Sequence, residues 1–202
     1  MELGIFKSVW DGQPNHLPLL NLYEMDQEQA EFNLTQSITK LDFILTSNSP
    51  RSIQESIMFL LESVDWRPHL VATLSFLALR PSERGGLLPL FWGVLSRGTW
   101  VSPQILVALS VSDSEFKIKG ERILVEGFKI NYPRLSPVDH HVSRGGTPST
   151  VSERKIIAAV DFLLNGVVKD TADNDAGGSI AKNWKERLEE LVAQNKFKLG
   201  QY

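Results

Sequence analysis

At 202 residues and 42% hydrophobic content, the chain is long enough to bury a substantial core, and its length suits one domain over residues 1–202. Its 21 basic and 24 acidic side chains leave a formal charge of −3, which offers no global attraction to nucleic acid or to an anionic membrane surface, so neither is an expected partner. The absence of cysteine excludes disulfides, thiol catalysis and thiolate metal sites, and fits a reducing cytoplasm.

The opening MELGIFKSVWDG lacks the basic start and sustained apolar run of a secretory signal. No apolar stretch approaches the roughly 20 residues of a membrane span. Together these predict a soluble cytoplasmic protein. Residues 2–10 read as a short helix stopped at Asp11-Gly12, and Gln13 to Met25, with two prolines, as an irregular connector. The first fifty residues carry two lysines against seven acids, so Glu24, Glu28 and Glu31 are candidates for a face that docks a basic protein partner.

Asp26 and Gln29 have capping-box spacing, and Ala30, Leu34, Ile38, Leu41 and Leu45 form one stripe, which predicts an amphipathic helix starting at Asp26. Asn33-Leu34-Thr35 matches a glycosylation sequon, a chance match without a secretion signal. Ser49-Pro50 then predicts a capped helix start, followed by the apolar face Ile53, Ile57, Leu60, Leu61 and Val64. PHLVATLS begins at Pro68 and PQILVALS at Pro103, so one proline-led apolar octet returns 35 residues later. Each octet is apolar nearly all round, the mark of a helix covered on several sides. Each follows an amphipathic stretch and a tryptophan, Trp66 or Trp100, which predicts two helical hairpins over about 50–80 and 85–112.

This pairing resembles HEAT-like or armadillo-like repeats, whose units bury their apolar faces only by stacking on neighbours. The resemblance implies an all-α fold of stacked antiparallel hairpins forming a short α-solenoid. Residues 115–127 suit either a helix ended by Gly127 or a β-hairpin turning at Gly120, and the helix is preferred. A long projecting loop is expected over 128–148. Two amphipathic helices over 151–167 and 179–196, the first opened by a Thr150/Glu153 capping box, close the chain before a frayed KFKLGQY tail.

Chemistry-bearing patterns are sparse. DNDAGG at 173–178 matches the start of a calcium loop, but position twelve is Trp184 where a bidentate Glu is required, so a solvated linker and no metal site is expected. In DHHVSRGGTPST, residues 139–150, Asp139, His140, His141 and Arg144 stand beside a glycine pair and a helix start, a setting suited to holding an anionic group. Adjacent histidines do not converge on one face, and no nucleophile elbow occurs. His69, in the first turn of a buried helix, reads as structural. Trp100 beside Arg97 would anchor an interface if exposed.

The expected function is therefore non-catalytic protein binding through Arg144, His140, His141, Glu24, Glu28, Glu31, Trp100 and Arg97, with no cofactor. In general character the chain is similar to bacterial immunity proteins that neutralise a toxin. The alternative is an enzyme or phosphate-binding regulator using the 139–150 loop.

Overall fold

The structure is a computed structural model and describes residues 3–11, 14–23, 33–131 and 151–202. Among these, every regular element is a helix and none is a strand. The α-helices are α1 (Leu34–Thr46), α2 (Pro50–Glu62), α3 (Trp66–Ala78), α4 (Pro81–Arg84), α5 (Leu88–Arg97), α6 (Ser102–Ser112), α7 (Phe116–Glu126), α8 (Val151–Asn165) and α9 (Gly177–Ala193). Short 3-10 helices span Gly4–Val9, Leu17–Leu20 and Ala172–Asn174. The backbone divides into two compact units, Met1–Leu90 with Glu186–Tyr202, and Phe91–Lys185. No described helix is long and apolar enough to cross a membrane.

In the first unit, α1 begins at Leu34 and not at Asp26. Asn33 is extended and its side chain accepts a 2.8 Å hydrogen bond from the Gln36 amide, so it is the N-cap. That bond also occupies the sequon asparagine. The Asp26/Gln29 pair lies outside the described residues. At α2 the expected start holds: Ser49 Oγ accepts from the Ser52 amide at 3.2 Å and Pro50 is the first helical residue. Ile53, Ile57, Leu60 and Leu61 are buried, each contributing roughly 1.5–3 kcal/mol.

Helix α3 is capped by Asp65, whose carboxylate accepts from the Arg67 amide at 3.1 Å, so it starts two residues before the octet's proline. Every residue from Pro68 to Ala78 is buried. The polar ones are satisfied within the helix and its approach: Thr73 donates to the His69 carbonyl (2.6 Å), Ser75 to that of Val71 (2.7 Å), and His69 Nε2–H to that of Ser63 (3.0 Å). His69 is thus structural. A three-residue connection joins α2 to α3, and the two helices pack together.

The segment after α9 is not frayed. Buried carbonyls at the end of α3 need partners, and this segment supplies them: Gly200 donates to Leu77 (3.0 Å), and Gln201 and Tyr202 donate to Ala78 (2.8 and 3.0 Å). The buried Arg84 guanidinium donates to the Leu77 and Leu79 carbonyls at 2.6 and 2.8 Å. Tyr202 Oη donates to Asp42 of α1, and burial followed by this hydrogen bond pushes the phenol above its ordinary range.

In the second unit, residues Ser102 to Leu109 of α6 are all buried, so the second octet is again an interior helix. Its covering differs from that of the first, because α6 packs chiefly against α8, with a lesser contact to α7. Val101, not Ser102, is the N-cap, and Ser102 Oγ has no hydrogen-bond partner. Residues 116–126 form helix α7, ended by Gly127 at φ +80°, which settles the helix-or-hairpin alternative. Val64, placed on the apolar face of α2 by its spacing, is exposed because it lies beyond the end of the helix, and Val111 and Val167 are likewise exposed in the last turn of α6 and beyond α8.

Candidate protein-binding face

Trp100 sits in the connection between α5 and α6. Gly98, at φ +87°, ends α5 in a left-handed conformation that residues with a Cβ seldom adopt. The turn then buries Thr99 and Val101, which leaves the intervening Trp100 47% exposed. Arg97, the last residue of α5, is exposed as well. The sequence-predicted pair therefore stands at one surface corner of the second unit.

Beneath the indole lies a group that the sequence did not single out. Lys155, in the first turns of α8, is 3% exposed, with its ammonium 5.2 Å from the Trp100 ring centroid, a cation–π arrangement. The ammonium is paired with Asp175 at 2.7 Å. Burial pushes the Lys155 pKa down, and the hydrogen bond and charge of Asp175 oppose that shift. Next to it, Arg154 pairs with Asp173 at 2.7 Å.

The segment that supplies these acids is largely solvent-exposed, as expected of a linker, and it is also folded. Asn174 accepts from the Thr171 amide (3.0 Å) and donates to the Lys169 carbonyl (2.8 Å), while Asp170 accepts from the amides of Gly178 (3.0 Å) and Ser179 (3.1 Å) at the start of α9. Gly177 packs so closely on the Lys155 carbonyl that a Cβ there would overlap it. Asp173 and Asp175, positions one and three of the calcium-like pattern, are each bound to a cation of α8. Among the described residues no cluster of His, Asp or Glu suits a metal ion.

Two recesses open elsewhere on this unit. One of about 460 Å³ is lined by Leu124, Arg154, Ile157, Asp161, Lys169 and Thr171. Its charges are matched, since Lys169 pairs with Asp161 at 2.8 Å and Arg154 with Asp173. The other, about 950 Å³, lies along α7 and the ends of α6 and α8, with Val111, Phe116, Leu124, Leu163 and Leu164 in its wall. Ile130 and Asn131, which precede the undescribed residues 132–150, are pinned: Ile130 donates to buried Glu153 at 2.8 Å, and Asn131 donates to the Ser96 carbonyl at 2.8 Å. Thr150, the other half of the expected capping box, lies outside the described residues, as do Asp139, His140, His141, Arg144, Glu24, Glu28 and Glu31.

Of the predicted contact residues, the structure therefore places Trp100 and Arg97. Lys155 was missed because a lysine inside an amphipathic helix reads as solvent-facing, and its partner Asp175 is twenty residues away. The legible trace was the acidic run Asp170, Asp173, Asp175 downstream of the Arg154-Lys155 pair. No family model matches the chain, and no curated protein or solved structure matches it either.

Proposed function

We propose that the chain is a non-catalytic protein-binding domain of stacked helical hairpins, working in the cytoplasm, with Trp100 and Arg97 at the centre of its contact face. The observation that carries this reading is the half-exposed indole seated on a buried, ion-paired lysine. Such an indole is held in place before a partner arrives, so little side-chain entropy is lost on binding, and Trp and Arg dominate interface energetics when they fill a partner's pocket. An inhibitor of a basic toxin, in the manner of immunity proteins, fits the acidic excess of the N-terminal quarter.

The second reading is a phosphate-binding regulator or enzyme using the 139–150 loop, which the residue types Asp139, His140, His141 and Arg144 favour. The two are separated by affinity capture with three baits: the wild type, Trp100→Ala with Arg97→Ala, and Arg144→Ala. The binding reading expects a protein retained by the wild type and lost from the Trp100/Arg97 variant, with circular dichroism showing that the variant is still folded. Retention unaffected by that variant but abolished by Arg144→Ala, or by added phosphate, favours the loop.

A further inference from the structure

His16 is 8% exposed, and neither of its ring nitrogens has a hydrogen-bond partner. The ring lies on Trp10, with centroids 5.3 Å apart and planes 24° apart. Buried polar groups without partners are uncommon and costly, and a charged imidazole in this position would be costlier still. His16 belongs to the N-terminal segment, in which the regular structure among the described residues 3–11 and 14–23 is two 3-10 helices. That segment is held to α1, α2 and α3 by buried Phe6, Val9, Leu19 and Leu22, with hydrogen bonds beside them. Ile5 N donates to Ser56 Oγ (3.3 Å), Ser37 Oγ to the Asn15 carbonyl (2.9 Å), and Arg187 to the Asn21 carbonyl (2.7 Å).

We propose that the described residues 3–11 and 14–23 form a clasp over the first unit that mild acid loosens, with His16 as its pin. The closed clasp favours the neutral imidazole, because among the described residues neither ring nitrogen has a hydrogen-bond partner. The charged groups around it do not change that balance. From α3 come Asp65 and Arg67, of which the carboxylate is already engaged by the guanidinium at 3.2 Å and by the Arg67 amide. From α1 comes Lys40, which donates to the Pro14 carbonyl at 3.4 Å and adds positive charge. On the segment itself Lys7 and Asp11 face each other at 3.9 Å in solvent, and on α2 Arg51 and Glu55 do the same at 2.9 Å.

Burial, and then repulsion from Arg67, push the imidazole below its ordinary range, with Asp65 opposing. The sign follows from linkage. Above the free-histidine value of about 6.5 both closed and open clasps carry a neutral ring, and closure has its full strength. As pH falls below that value only the open form binds the proton, so closure weakens until the lowered closed-state pKa is reached. Opening uncovers the faces of α1 and α2 that Phe6 and Val9 cover.

Amide hydrogen exchange on the intact chain tests this, with rates corrected for the intrinsic effect of pH. Between pH 7.5 and 5.5, protection at Phe6, Trp10, Leu19 and Leu22 should fall several-fold while that of α2 amides stays unchanged. In His16→Phe, a flat apolar ring, the difference should vanish. Titration of the His16 ring in the wild type by NMR gives a reading independent of any variant, with a midpoint below that of free histidine. Equal protection at both pH values, a midpoint at or above the free value, or the same pH response in His16→Phe would each overturn the proposal.

Discussion

Asp113 shows how a single buried carboxylate can organise a unit. With its side chain 4% exposed, it accepts from Trp92 Nε1 at 2.8 Å, Lys119 Nζ at 2.9 Å and the Glu115 amide at 2.9 Å. Burial alone would raise its pKa, but the donors from Lys119, Trp92 and Glu115 together hold it below the ordinary carboxylate range. A carboxylate lowered in the folded state adds stability above its unfolded value of about 3.9, and that stability is lost as pH falls through the folded value. Asp113→Asn should therefore lower stability by about 1.5–3 kcal/mol at pH 7, read from urea unfolding, and the gap to wild type should narrow in strong acid. The local half of this arrangement, an Asp two residues before the amide it receives, is readable in sequence as a turn. The half that matters most is not, since Trp92 is twenty-one residues away and tryptophan carries no mark of its partner.

At the scale of elements, legibility followed the range of the interactions involved. Ser49-Pro50 starts α2 because cap and proline act within one turn, and Gly127 ends α7 for the same reason. Ser102-Pro103 has the same letters yet Ser102 caps nothing, because Val101 takes the N-cap position and the serine is buried. The segment after α9 carries no periodicity, and its order comes from carbonyls of α3 more than a hundred residues earlier. The two octets are interior helices, with Leu74 1% and Leu109 0% exposed. Leu74→Ala and Leu109→Ala should each cost roughly 2–5 kcal/mol in chemical denaturation, since neither rigid surround can collapse fully into the space left. A cost under about 1 kcal/mol at either position would show that its helix is not the covered interior element described here.

For the whole molecule, the described residues give an all-helical chain in two compact units, with the predicted anchors Trp100 and Arg97 on the second. The acidic excess of the first fifty residues bears on how fast a basic partner arrives, because charge complementarity acts mainly on association and is screened by salt. Reversing Glu24, Glu28 and Glu31 to lysine should slow association with the captured partner at low salt and have little effect at high salt. An unchanged rate at low salt would assign those acids to a solvated surface. The central claim is that the indole on its buried lysine is the binding anchor, and calorimetric titration of the captured partner into wild type and Trp100→Ala tests it most directly. A hot-spot residue is worth about 2 kcal/mol or more, so the variant should bind at least tenfold more weakly while losing about 2 kcal/mol of stability with the desolvated cation–π contact. Wild-type affinity in a folded Trp100→Ala protein would contradict the account.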